Sequence, residues 1–443
     1  MISAHPSIPE AVTPTARASC PSSRFLFLSS CPEPWGGSEE LWSQAALRLS
    51  SDGHRVSVCK TLVVRDHPRI RELLSSGVSV EDYLGASYLQ LTFALVRRIL
   101  GMMLRAAAPR QDKTHGSDGS QSHPAPTQSW KQRLLGLYQF IFGRRLKALA
   151  PDLAVISQGE NFDGLHFSAA CRKLGVPYVL ICQKASDLNW PGDFVREEMR
   201  LSYRDARRVY FVSRHNQALT ERQIACKLPN AEVVRNPFLT AGGAPPPYPE
   251  TASGHFRLAC IARLFVLEKG QDSLLDVLAQ EKWRRRDLEV NFYGQGIHRE
   301  ALERAAEMLD LRNVVFHGFT DDILSVWSEH HALVLPSRAE GLPLVVVEAM
   351  MCGRPPIVTN AGGSGEVVDD GETGFLARGT DAASLDDVLE RAWSRRDEWE
   401  AIGREAAKRI RLLVPESPGD EFAEKLALAL NQTRTEATSH GRL

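Results

Sequence analysis

The residues with the most chemical content lie in Leu333–Leu376, LVLPSRAEGLPLVVVEAMMCGRPPIVTNAGGSGEVVDDGETGFL. Glu340 sits in a loop after an apolar run, and Glu348 follows with seven residues between, inside a stretch that reads as a helix. Pro343 suits the first position of that helix, and Gly353 closes it. A carboxylate among Leu344, Val345, Val346 and Val347 is costly to bury unless it is paired or hydrogen-bonded. The free N–H groups of a helix start receive phosphate, and a carboxylate accepts the hydroxyls of a sugar or ribose. Either glutamate alone could be an ordinary capping or salt-bridged residue. Their spacing around this loop favours a ligand site.

A second set, Arg263-Leu-Phe-Val-Leu-Glu-Lys269-Gly270, follows another apolar run. An Arg at a strand end and a Lys at the next helix start can converge on a diphosphate, one as a fork and one as a point charge. By themselves they could equally be solvated loop charges. A third set is Trp35-Gly36-Gly37-Ser38, where glycine lets backbone approach a ligand closely. It is not a dinucleotide fingerprint, because the G-x-G-x-x-G spacing is missing, and Gly294-Gln-Gly296 also lacks its third glycine. That counts against a nicotinamide enzyme.

These sets need rigid elements to aim them. Short apolar runs at 24–29, 54–59, 153–157, 176–182, 208–213 and 231–234 alternate with helix-length amphipathic segments. The pattern restarts at 257–262, 288–293, 314–317, 332–335, 356–358 and 374–376. Continuous Val/Ile/Leu strands separated by helices predict an α/β fold of two doubly wound parallel sheets. Between them, residues 237–254 carry five prolines and three glycines and read as a linker. The expected units are therefore 24–236 and 255–410. Ligands of such sheets bind beyond the carboxyl ends of the strands, so two facing sheets enclose a cleft.

The chain has 443 residues with Lys+Arg 53 against Asp+Glu 54, a formal charge of −1. That balance excludes a general nucleic-acid coat. Any anionic ligand must be met by a few placed cations. The 43% hydrophobic content supports ample core and excludes disorder of the whole chain. Residues 1–23 read as a disordered tail with no signal peptide, and no run of 18 apolar residues exists. Eight cysteines without CxxC spacing read as small buried hydrophobes in a reducing compartment. Residues 108–128 read as a low-complexity surface loop. The basic helical stretches around it, within 88–150, suit either ordinary packing or contact with an anionic membrane surface.

Together the EGLPLVVVE stretch from Glu340 to Glu348, Arg263 with Lys269-Gly270, and the Gly36-Gly37 loop resemble glycosyltransferase family 4. The similarity runs in motif order over nearly all of 24–410. It implies the GT-B fold, two Rossmann-like domains facing across a cleft, with a C-terminal helix near 418–431 within 411–443 crossing back to the first. It implies retaining transfer of a sugar from a UDP- or GDP-linked donor to a hydroxyl acceptor (a glycan, a lipid-linked or a small molecule). No metal or other cofactor is expected, in keeping with the absence of D-x-D. Glu340 would hold the transferred sugar and Glu348 the ribose, while Arg263 and Lys269 neutralise the diphosphate. Gly341, Leu342 and Pro343 would shape the donor pocket, with Gly36 and Gly37 meeting it from the first domain.

Many relatives carry an acceptor-side histidine after a strand such as Val179–Cys182, and none stands there here. Gln158, Glu160, Gln183 and Asp187 are the expected substitutes, with His166 and His215 expected on helix surfaces. The expected location is the cytoplasm, at the inner membrane face if the basic helices bind lipid. Rival readings are another GT-B enzyme (a nucleotide-sugar epimerase or phosphorylase), a sugar-binding scaffold without turnover, and a membrane-associated assembly protein.

Overall fold

In a computed structural model, which describes residues 22–82, 142–238, 244–250 and 254–440, two parallel sheets account for every apolar run named above. The first contains β1 (Arg24–Ser29), β2 (Arg55–Lys60), β3 (Ser79–Asp82), β4 (Leu153–Glu160), β5 (Tyr178–Lys184), β6 (Val209–Phe211) and β7 (Ala231–Val233). Their order is 3-2-1-4-5-6-7. The second contains β8 (Phe256–Ile261), β9 (Leu288–Tyr293), β10 (Val314–Gly318), β11 (Ala332–Leu335), β12 (Pro356–Thr359) and β13 (Phe375–Ala377), in the order 10-9-8-11-12-13. All the pairings are parallel. Central strands such as β4 and β5 are buried along nearly their whole length. That is why they read as unbroken apolar runs, not as alternating ones.

The chain order reverses between β1 and β4 and again between β8 and β11, which opens a crevice at each reversal. The loops after β1, β8 and β11 carry the glycine pair, Arg263 and Glu340 respectively, and β4 ends on Glu160. The strand β3 lies outside the sequence expectations. It has only four residues at a sheet edge, three of them polar, so it offers no apolar run to read.

After β1 the chain makes a short turn at Gly37–Glu39 and then α1 (Glu40–Ser51). His54, expected to open a strand, falls just before β2, where its Nδ1 accepts from the Ser23 N–H at 3.3 Å. The helix α2 (Leu165–Leu174) carries His166, which is half-buried with its ring centroid 4.0 Å from that of Phe167. The expected surface position is thus corrected, and His215 is half-buried as well. Burial lowers the His166 pKa from 6.5 to about 4.

A depressed histidine pKa means the unfolded chain takes up the proton first. Stability from this group is complete above pH 6.5 and lost as pH falls towards 4, by up to about 3 kcal/mol. Urea midpoints at pH 7 and pH 5 should differ less in His166→Gln than in the parent. Equal pH dependence in both proteins would refute this.

The helix α3 (Leu344–Met351) follows β11, and α4 (Pro418–His440) ends the described chain. The apolar side of α4 does not rest on its own sheet. Phe422, Ala423, Leu426, Ala429 and Leu430 join the core of the first sheet, against α1. Of the proline-rich stretch, residues 244–250 are fastened to the second sheet's domain. Arg354, 1% exposed, donates to the carbonyls of Pro246 (2.9 Å) and Pro247 (2.6 Å), and Tyr248 donates to His331 O at 2.9 Å. Such carbonyls lack partners of their own, and one guanidinium supplies two donors in a fork.

Cys59, Cys171, Cys182, Cys260 and Cys352 are buried free thiols, whereas Cys31 and Cys226 are half-buried. Among the described residues no helix is long and apolar enough to cross a membrane. Residues 1–21 of the expected tail, the loop 108–128 and the basic stretch from 88 to 141 lie outside the described residues, whereas Ser23, counted with the tail, is buried at 2% exposure beside β2.

Candidate active site

Between the sheets lies a cleft of about 730 Å³. From the first domain come the loop after β1 (Cys31, Glu33, Gly36, Gly37), the end of β4 (Gly159, Glu160, Asp163), the end of β5 (Gln183, Lys184) and Asn236. From the second come Arg263, Glu268 and Lys269, the loops at 293–295 and 319–321, and Glu340 through Val345 with Glu348. Gln158 and Asp187 are absent from this lining.

The centre of the constellation is an ion pair. Lys269 Nζ lies 2.6 Å from Glu340 Oε1, which also accepts from Ser337 Oγ at 2.7 Å. Both side chains are largely buried, at 16% and 9% exposure. A carboxylate held from two sides keeps one geometry, and its other oxygen is left for a ligand. Glu348 is 3% exposed on α3, whose opening residues Leu344 and Val345 face the cleft. Pro343 caps α3, so the first free N–H groups of the helix point into the same space.

Gly37 meets α3 from across the cleft. A Cβ at Gly37 would come within 2.9 Å of Leu344 Cδ1. Gly341 is tighter still, because a Cβ there would fall 2.0 Å from the carbonyl oxygen of Gln183. At this point the two domains touch backbone to backbone, and only glycine leaves room.

The remaining cations are shared between domains. Lys184 Nζ lies 2.7 Å from Glu160 Oε1 and 2.7 Å from Glu268 Oε1. Glu160 and Lys184 are direct neighbours in the β4–β5 register. Arg263 pairs with Glu33 of the first domain and, at 3.2 Å, with Glu268. Burial pushes the Glu268 carboxyl up, but the hydrogen bond and charge of Lys184, with Arg263 and Lys269, more than offset it and leave the group below its usual range. Glu160 has only a shared cation, and burial holds it above the ordinary carboxylate range. Burial alone would lower Lys184, but its two carboxylates raise it. It therefore stays charged.

Beneath the glycine loop a second ion pair is sealed off. Lys60 Nζ and Glu39 Oε2 are 3.0 Å apart, at 0% and 1% exposure. Lys60 also donates to the carbonyls of Cys31 (3.1 Å) and Glu33 (2.6 Å), and Ser29 donates to Glu39. One buried ammonium thus shapes the loop that carries Glu33, Gly36 and Gly37 to the cleft.

Of the expected site residues, Glu340, Glu348, Arg263, Lys269, Gly341, Leu342, Pro343, Gly36, Gly37, Glu160 and Gln183 converge on this space. Two others do not. Gln158 is 1% exposed and turned into the core, where it accepts from Tyr203 Oη at 2.8 Å and donates to Asp163 O at 2.6 Å. Asp187 is 64% exposed and faces Arg222 at 3.9 Å. Both are corrected as acceptor-side candidates. Residues the sequence reading left out are Glu33, Lys184, Glu268, Ser337 and Asn236. Glu268 was findable, as an acid between two cations in the Arg263–Lys269 stretch. Glu33, Lys184 and Asn236 act through partners far away in the chain, whereas Ser337 meets Glu340 only three residues on. Among the described residues, no group of three or more His, Cys, Asp or Glu side chains is arranged to hold a metal.

The same fold recurs in solved structures. Anabaena HepE, in complex with UDP and glucose, superposes with a TM-score of 0.63 at 18% identity, covering 91% of this chain and 99% of its own. Sucrose-phosphate synthase from Thermosynechococcus elongatus gives 0.64 at 16% identity, covering 94% and 100%. The fold is GT-B. In the second GT-B domain, residues 255–395 match the family described as Glycosyl transferases group 1. An uncharacterized glycosyltransferase of Methanocaldococcus jannaschii is 34% identical over 128 residues, 28% of this chain and 34% of that one. The GDP-mannose-dependent alpha-(1-6)-phosphatidylinositol monomannoside mannosyltransferase of Mycolicibacterium smegmatis is 35% identical over 141 residues, 29% and 36% of the two chains. The matched stretch thus spans about a third of the length of these curated relatives. Residues 255–395, matched by the family model, contain the whole Arg263–Lys269 and Glu340–Glu348 sets.

Proposed function

We propose that this chain is a retaining glycosyltransferase of family 4 that moves a sugar from a UDP- or GDP-linked donor to a hydroxyl acceptor in glycoconjugate synthesis. The observation that carries the reading is the Lys269–Glu340 pair, 2.6 Å apart at the mouth of α3 inside an interdomain cleft. The acceptor oxygen attacks the anomeric carbon on the face that the phosphate leaves. A C–O bond to the acceptor forms, the C–O bond to the diphosphate breaks, and the acceptor proton passes to the departing phosphate. Arg263 and Lys269 stabilise the charge that develops on that phosphate, in the role a divalent cation would otherwise fill. Glu340 orients the transferred sugar, and Glu348 the ribose. The protein acts in the cytoplasm.

HepE in complex with UDP and the GDP-mannose-dependent mycobacterial relative support a UDP- or GDP-linked donor. A thermal-shift screen against UDP-, GDP- and ADP-sugars tests the reading. A donor at 100 times its dissociation constant should stabilise the fold by about 2.7 kcal/mol. No shift with any of the three classes would overturn it.

A further inference from the structure

The first-domain wall of the cleft contains a feature to which the donor reading assigns no role. Gln183 and Asn236 both line the cleft while being only 5% and 6% exposed. Asn236 Nδ2 donates to Gln183 Oε1 at 2.7 Å, which fixes the two amides against each other. Each then has one polar atom left over. Among the described residues neither Gln183 Nε2 nor Asn236 Oδ1 has a hydrogen-bond partner. The backbone beneath them is held too, because Asn216 Nδ2 donates to the Gln183 carbonyl at 3.4 Å and Ser213 Oγ accepts from the Asn216 N–H. That carbonyl is the one abutting Gly341, next to Glu340.

Buried polar atoms are almost always paired, so two orphans on hydrogen-bonded amides of the cleft wall point to a ligand group. One is a donor and one an acceptor. A hydroxyl can accept from Gln183 Nε2 and donate to Asn236 Oδ1. A carboxylate or phosphate would satisfy the first but face the lone pairs of the second, with Glu160 nearby. An ammonium would face the N–H of the first. The neighbouring cation Lys184 is already neutralised by Glu160 and Glu268 and offers no free charge to an anion.

We propose that Gln183 and Asn236 form a hydroxyl-reading subsite for a neutral polyhydroxyl acceptor ring, seated beside Glu340. This deepens the glycosyltransferase reading and rests on it for the word acceptor, but ligand binding at the subsite can be measured without turnover. Full-length protein with UDP would be examined by saturation-transfer NMR against methyl glucoside, methyl galactoside, methyl mannoside and myo-inositol, with methyl glucuronide as the anionic counterpart.

At least one neutral ring should bind and the glucuronide should not. Gln183→Leu and Asn236→Leu should each weaken that binding roughly 10- to 100-fold, as expected when a buried hydrogen-bonding group loses its partner. Nucleotide binding should stay at the parent value. Asn236→Asp, nearly identical in shape, covers the case where leucine unfolds the protein. It loses the donor to Gln183 and should weaken the neutral ring similarly. Binding of the glucuronide in preference to the neutral rings, no binding by any of them, or unchanged binding in the variants would each overturn the proposal. Ring binding lost in the variants, without turnover of any nucleotide sugar, would leave the subsite standing and remove the transferase. Turnover that prefers anionic acceptors and ignores both substitutions would do the reverse.

Discussion

Glu340→Gln and Lys269→Ala are each expected to abolish measurable transfer while leaving the fold intact. The pair is preorganised before any ligand arrives, with Ser337 and Lys269 converging on one Glu340 oxygen. Groups fixed in this way stabilise developing charge without reorganising, and removing one commonly costs ~3–4 kcal/mol, a ~10²–10³-fold fall in kcat. Glu340→Gln keeps the shape but gives up the charge and one acceptor. Lys269→Ala removes the ammonium and leaves Glu340 tied to Ser337 alone. Rates with the donor identified by thermal shift, alongside unfolding curves, separate loss of chemistry from loss of structure. Parent-like turnover in both variants would end the assignment of this pair to catalysis.

Lys60→Met should have the largest effect on stability. Its ammonium is fully buried against Glu39, and removing one partner of a buried pair typically costs ~3–5 kcal/mol because the other charge is stranded. The Cys31 and Glu33 carbonyls would lose their donor as well, so the glycine loop should loosen and nucleotide affinity fall in parallel. The double variant Lys60→Met/Glu39→Leu has no stranded charge and should regain most of the loss. Urea unfolding of the parent, both single variants and the double variant measures the coupling. A single-variant cost below about 1 kcal/mol, the range of exposed pairs, would show that the pair is not sealed as described.

Much of this architecture was legible before the structure. The parallel strands announce themselves because both faces are covered, and each run of Val, Ile and Leu maps onto one. The strand β3 does not, since Ser79, Glu81 and Asp82 at an edge look like a loop. In the site, Glu340, Arg263 and Lys269 were readable because loop and helix signals placed them just beyond strand ends, and Glu348 because it is an acid inside an apolar helix. What local pattern cannot encode is direction and distance. Gln158 and Glu160 stand two residues apart at the end of one strand, yet Gln158 turns to Tyr203 while Glu160 faces the cleft. Lys184 finds Glu268 across 84 positions of sequence, and Asn236 finds Gln183 across 53. Only the folded chain creates such contacts, the first between the two domains and the second within the first domain.

The path of α4 governs how the chain can fold during synthesis. Phe422, Leu426 and Leu430 complete the hydrophobic interior of a domain whose strands all precede residue 234. The first domain to leave the ribosome is therefore the last to be finished, and must wait with an open apolar face while the second is made. The second needs nothing from α4 and can close at once. A chain cut after residue 413 should accordingly keep the second domain folded and lose the first.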